Sequence, residues 1–214
     1  STKTSFEASA DLYESRFGQI DLSNMSADMS LCGHQLKCDV ACDNDQLKTV
    51  FVLEAELQKH LVNGTLDIHL PFIDVQSMGF SDSRLQATTG GFVKFAYNWK
   101  NLFYVDSHID ALNLVIGKDS IQTDVFDLYA EAKEDSTAAR FQTGDCKLSF
   151  ATPINFFSLM QKVEKLQKET VKQFKRREVN LDDLKHYLPS LSLHADVGNN
   201  NPLADIFKIY GMTF

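Results

Sequence analysis

The sequence predicts a mainly β (α+β) fold, a long antiparallel meander sheet covered by a late amphipathic helix. Three observations carry this. Leu47, Thr49, Phe51, Leu53, Ala55 and Leu57 alternate with Lys48, Val50, Val52, Glu54, Glu56 and Gln58, the period of a strand with one apolar face. Turn residues recur at roughly ten-residue spacing through the first 150 positions, as in an all-β meander. After Thr152-Pro153 the apolar period lengthens to three and four residues, the period of a helix.

The first ten or so residues alternate weakly, with Phe6, Ala8, Ala10 and Leu12 on one side; a short amphipathic helix is the competing reading. Ile20 and Leu22, then Met29 and Leu31, then Leu36, Cys38, Val40 and Cys42 suggest two or three strands before an Asp43-Asn44-Asp45 turn, where Asx side chains bond their own backbone. The hairpin from Leu47 to Phe72 follows. Its return arm sets Leu66, Ile68, Leu70 and Phe72 against Asp67 and His69. Asn63-Gly64 is the expected turn, since that pair tolerates positive φ, and Pro71 bends or ends the arm.

Gly90-Gly91 precedes a second hairpin: Val93, Phe95, Tyr97 and Trp99 share a face, Trp99-Lys100-Asn101 reverses the chain, and Phe103, Val105, Ser107 and Ile109 return. Further arms run through Leu112–Ile116, Phe126–Ala132 and Phe141–Phe150, with turns at Gly117-Lys118-Asp119 and Glu134-Asp135-Ser136. Thr152 is the expected N-cap and Pro153 the first helical residue. Phe156, Leu159, Met160, Val163, Leu166, Val171 and Phe174 form one helix face, and Lys162, Lys165, Lys168, Lys172, Lys175, Arg176 and Arg177 the other. Asn180 caps a short helix to Leu188, Leu191–Val197 is a last strand, and Pro202 starts a final helix. The expected organisation is one β-rich domain over 1–214: strands over 1–151, a helical segment over 152–188, and a strand and short helix over 189–214.

A net charge of −8 argues against a general nucleic-acid binder, because phosphate contacts need a basic face. No run of about eighteen apolar residues could span a membrane. No signal peptide is visible at Ser1, which reads as a mature product, a processed fragment or an intracellular protein. Cys32, Cys38, Cys42 and Cys146 are an even set, read as two disulfides with three possible pairings. Asn24 and Asn63 head sequons, so both are glycosylation candidates. Together the cysteines and sequons point to a secreted protein.

No nucleophile elbow, zinc-protease motif or phosphate-binding glycine loop is present. Asp106, Ser107 and His108 have triad chemistry, but strand alternation turns Ser107 away from the other two. Cys32, His34, Cys38 and Cys42 match no familiar zinc spacing, and Asp67/His69 and Asp106/His108 read as a solvated polar face. No metal and no cofactor are expected, and the chain is read as non-enzymatic. The basic helix face reads as solvated surface, with docking on an anionic lipid surface as the alternative.

Gly64-Thr65-Leu66-Asp67-Ile68-His69-Leu70-Pro71-Phe72 and Cys146-Lys147-Leu148-Ser149-Phe150-Ala151-Thr152-Pro153-Ile154 look alike, and Phe92–Lys100 is a strand leading to an Asn-Trp-Lys turn. This pattern resembles the repeated β units of the large lipid transfer proteins, the apolipophorin and vitellogenin group. The chain length and the helix after a long sheet are also similar to the tubular lipid-binding proteins, the juvenile-hormone carriers and takeout-like proteins. Both resemblances imply non-covalent carriage of a lipid, hormone or pigment between sheet and helix. The expected lining is Phe51, Leu53, Phe95, Tyr97, Phe103, Phe156, Met160 and Val163. The expected partner is thus an apolar small molecule or lipid, without nucleic acid, with a homo-oligomer or other subunits as further partners. The alternative is a structural or interaction protein (coat, egg or adhesion component) with no small ligand.

Overall fold

A computed structural model describes residues 5–98, 102–176, 190–198 and 200–202, with positions 180, 182, 184, 185, 188 and 204. Among these residues the chain is a mainly β antiparallel meander with one long late helix, as the periodicities predict. The strands are β1 (Ser5–Leu12), β2 (Arg16–Phe17), β3 (Ile20–Asp21), β4 (Met25–Cys32), β5 (Gln35–Asp43), β6 (Leu47–Leu57), β7 (Leu61–Asp74) and β8 (Leu85–Asn98). They continue as β9 (Leu102–Ile109), β10 (Asn113–Ile116), β11 (Asp119–Gln122), β12 (Phe126–Ala132), β13 (Thr137–Thr143) and β14 (Cys146–Thr152). Helix α1 (Phe156–Arg176) and β15 (Ser192–Val197) complete the order.

Eleven strands lie side by side as β1-β4-β5-β6-β7-β8-β9-β12-β13-β14-β15. The β10–β11 hairpin branches from β8, and β2–β3 pair separately. Most neighbours in space are neighbours in sequence, because short turns leave a meander no other choice.

The β6–β7 turn differs from expectation. It falls at Lys59-His60, where Gln58 N–H donates to Leu61 O at 2.8 Å. Asn63 and Gly64 stand inside β7, opposite Glu56 and Ala55. This register sets Leu53 against Leu66 and Phe51 against Ile68, all on one face. Gly64 owes its glycine to crowding rather than to a turn: a Cβ there would come 2.4 Å from the Glu54 carbonyl oxygen. Asn63 is therefore a mid-strand residue, whereas Asn24 occupies an exposed turn at φ 55°. The Trp99-Lys100-Asn101 turn lies outside the described residues, as do Arg177 and the apolar positions expected in the last helix beyond Ala204.

β8 runs unbroken through Gly90-Gly91. Gly91 adopts φ 141°, and a Cβ there would lie 2.2 Å from the His108 carbonyl oxygen. Pro71 coincides with a register shift between Leu70 and Ile73, the tolerated place for a residue lacking N–H. Asn44 knots the expected Asx turn, donating to Asp21 O and Ser23 O and accepting from the Gln46 and Leu47 N–H groups.

Pairing gathers most apolar side chains of the eleven-strand sheet on one face, with Val50, Val52 and Phe92 on the other. One row crosses the whole sheet as Phe6, Leu31, Leu36, Ala55, Gly64, Phe95, Val105, Ala130, Ala139, Phe150 and Leu193. Among the described residues buried apolar side chains are few, chiefly Cys42, Ala55, Met78, Ile121, Ala132, Cys146 and Leu159. A single sheet layer shields its residues laterally but leaves each face open.

The four cysteines are free thiols, which corrects the disulfide expectation. Cys38, Cys42 and Cys146 belong to the apolar face and Cys32 to the opposite one. Cys38 and Cys42 stand four residues apart on one strand, about 13 Å at 3.3 Å per residue, beyond disulfide reach.

Helix α1 begins later than expected. Asn155 is its cap, its Oδ1 accepting Ser158 N–H at 2.8 Å, while the Thr152 hydroxyl donates to Ser190 O at 2.6 Å. The helix meets the sheet at its first turn rather than lying over the β6–β7 hairpin. Phe156, Phe157, Met160, Val163, Val171 and Phe174 stay 42–72% exposed. No helix among the described residues is long and apolar enough to cross a membrane.

Candidate functional site

Two surfaces carry chemistry. The first is the polar face over β9, β12, β13, β14 and β15. Register aligns His108, Asp127, Gln142, Lys147 and Asp196 in one row across these strands, and Asp106, Tyr129, Arg140, Ser149 and His194 in the next. Asp127, Gln142 and Lys147 of the first row and all five residues of the second floor an open depression of about 570 Å3, with His108 and Asp196 at the two ends of the first row outside it.

His108 Nδ1 lies 2.7 Å from Asp127 Oδ1, and its Nε2 lies 3.9 Å from Asp110 Oδ1. The Phe92 ring stacks on the imidazole at 5.7 Å. A carboxylate on one ring nitrogen fixes the tautomer and leaves the other nitrogen to accept a proton. Arg140 stands over the Tyr129 ring at 4.7 Å, a cation–π contact. The Tyr129 hydroxyl donates to Glu131 at 3.0 Å, and Lys133 approaches Glu131 at 2.9 Å. The Lys133 hydrogen bond holds the Glu131 carboxyl below its ordinary range, while burial and then the Glu131 carboxylate push the Tyr129 phenol up. Burial and the neighbouring Asp106 raise Tyr104 in the same way. Arg140 and Lys147 line the depression and make no ion pair among the described residues.

The second surface is α1. At 100° per residue, Lys162, Lys165, Lys168, Lys172, Lys175 and Arg176 fall on one side and the apolar residues opposite. Glu164 pairs with Lys168, and Glu169 with Lys172 at 3.0 Å. Lys162, Lys165, Lys175 and Arg176 are left without an ion-pair partner among the described residues. They span about 21 Å at 1.5 Å per residue.

The expected lining residues do not converge. Tyr97, Phe103 and Phe156 meet, with Phe157, at a cavity of about 170 Å3, smaller than the 300 Å3 or more of typical ligand pockets. Phe51, Leu53 and Phe95 lie on the open sheet face, and Met160 and Val163 are exposed on the helix. Ser107 is buried and bonds Leu128 O at 3.4 Å, on the side away from Asp106 and His108, so the local triad fails as expected. Among the described residues no group of three or more His, Cys, Asp or Glu is placed to hold a metal ion.

No protein-family model and no solved structure matches the chain. The chain is 27% identical over 128 residues to the type II restriction enzyme MboI of Moraxella bovis, a match covering 60% of this chain and 38% of that enzyme. The chain thus spans well under half the length of the relative it matches.

That similarity corrects several expectations. It is to a restriction enzyme, not to the lipid transfer or tubular lipid-binding proteins, and it overturns the lipid-carrier and non-enzymatic readings. It also overturns the exclusion of nucleic acid. A net −8 describes the whole chain, whereas phosphate binding depends on local potential. The six cations of α1 were visible in sequence but were read as a solvated face. Arg140, Lys147 and His194 were missed because their meeting depends on strand register, which no local signal announces.

Proposed function

We propose that the chain is part of a DNA-cleaving enzyme, and that the basic face of α1 holds the DNA backbone. The observation that carries this is the 27% identity to a restriction enzyme over 60% of the chain. The geometry supports it. Of the surfaces described, the helix stripe is the one with unpaired cations in series, and phosphate contacts are made chiefly by such Lys and Arg side chains. His108, oriented by Asp127 at 2.7 Å, is the side chain best arranged to accept a proton. In phosphodiester hydrolysis water bonds to phosphorus, the bond from phosphorus to the leaving nucleotide oxygen breaks, the base takes a proton from the water, and the leaving oxygen gains one. Arg140 and Lys147 stand on the same face to meet the phosphate charge.

Fluorescence anisotropy with a labelled duplex, across a salt series, tests the binding. Supercoiled-plasmid nicking with a panel of added divalent cations tests the cleavage. Binding whose log K falls with log salt at a slope of about −3.6, four cations at roughly −0.9 each, is the expected result. Absence of duplex binding at low salt and micromolar protein overturns the reading.

A further inference from the structure

We infer that the apolar face of the sheet is the interface between two copies of this chain, packed face to face about a two-fold axis parallel to the strands. This rests on surface accounting and side-chain relief, independently of any action on DNA.

The chain exposes 14378 Å2. A folded chain of 24.1 kDa ordinarily exposes about 10,000 Å2. A sheet with no second layer contributes to this excess, together with the exposed apolar side chains of α1. Eleven strands at about 4.8 Å give a width of about 50 Å, and three apolar rows about 7 Å apart give a depth near 20 Å. That is about 1,000 Å2 per copy, above the roughly 800 Å2 per partner of a stable interface. No charged residue stands in the three central rows. Two copies meeting there keep their acidic and basic residues on the outer faces, where a net −8 on each is screened by water.

Side-chain size along one row points to a second copy rather than another partner. Bulky pairs rise at Leu31/Leu36, Phe95/Val105 and Phe150/Leu193, and small pairs sink at Ala55/Gly64 and Ala130/Ala139. From β4 to β15 ridges and dips alternate every two strands, and Phe6 on β1 extends the first ridge. From β4 to β13 the row is therefore its own complement under a two-fold that exchanges β8 with β7 and β9 with β6. The Phe95/Val105 ridge of each copy then fills the Ala55/Gly64 dip of the other, and Leu31/Leu36 fills Ala130/Ala139. Both partners use the same patch, as an isologous contact requires. Aligned sheets about 10 Å apart with strands within about 30° are a standard sandwich. The same axis seats Leu128 over the partner's Cys38.

Sedimentation velocity across a micromolar concentration series, with iodoacetamide labelling of Cys38 and Cys32 read by peptide mass spectrometry, tests this. The expected result is a dimer in which Cys38 labels at least tenfold more slowly than the opposite-face Cys32. Leu128→Lys, at a position 40% exposed in the single copy, should give a monomer of unchanged far-UV circular dichroism in which Cys38 labels at least tenfold faster than in the wild-type dimer. Thr65→Lys on the outer face should leave the dimer intact. A wild-type monomer overturns the inference. So does a dimer with freely labelling Cys38, which would be joined by strand edges. A monomer whose Cys38 is shielded by a co-purifying apolar molecule, seen by native mass spectrometry, overturns it too.

Discussion

His108 on β9 and Asp127 on β12 touch across the sheet, with 2.7 Å between Nδ1 and Oδ1 and side chains 41% and 56% exposed. So wet a pair contributes less than about 1 kcal/mol to folding, which separates its structural role from a chemical one. Asp127→Asn should shift urea-unfolding stability by less than about 1 kcal/mol while lowering plasmid nicking by about a hundredfold. Loss of activity together with loss of fold would assign the pair to structure instead.

The stripe on α1 makes a separate prediction. Replacing Lys162, Lys165, Lys175 and Arg176 together with glutamine should flatten the salt dependence of duplex binding to near zero, because about four counterion releases disappear. Replacing Lys168 and Lys172, which already pair with Glu164 and Glu169, should weaken binding much less. Equal effects from the two sets would show that position on the stripe is irrelevant.

Backbone crowding at Gly91 sets a stability prediction. Gly91→Val puts a Cβ 2.2 Å from the His108 carbonyl oxygen at φ 141°, and should cost more than about 2 kcal/mol in urea unfolding. Gly33→Ala, at φ 64° with open space around it, should cost only about 1 kcal/mol. A reversed order would mean that β8 and β9 can separate at this point without penalty.

Asp74 and Glu131 are two of the carboxylates that contribute to the acid limb of stability. Asp74 accepts from Gln86 at 2.9 Å and from Ser77 N–H at 3.0 Å, and the Gln86 bond in particular lowers its pKa. Glu131 is lowered chiefly by Lys133. Both folded values lie below the ordinary 3.8 and 4.5, so the unfolded chain binds protons first. Their contribution is complete above those ordinary values and is lost as pH falls through the lowered ones. Urea midpoints should be level from pH 6 to 5 and then fall towards pH 3, more shallowly in Asp74→Asn/Glu131→Gln. Identical slopes for variant and wild type would sink this account.

Much of the fold was legible in the sequence. Alternation over Leu47–Leu57 marked a strand of that length because period two is a property of the extended backbone itself. The run from Phe156 to Phe174 marked a helix for the same reason. The Gly117 and Glu134-Asp135-Ser136 turns were local too. Asn63-Gly64 misled because a strong turn pair competed with register, and pairing Leu53 with Leu66 won. The site was less legible: the cations of α1 are contiguous in sequence, but His108 and Asp127 are 19 positions apart.

The sequence by itself determined which segments are strands, which is the helix, and which side of each is apolar, since these follow from a few neighbouring residues. Tertiary structure decided where the β6–β7 turn falls, that the cysteines stay apart, and that His108, Asp127, Arg140, Lys147 and His194 share one surface. It also decided that α1 leaves the apolar face open. Those outcomes depend on pairing between distant strands, where every contact is fixed by register and a slip of one residue turns each side chain to the other face.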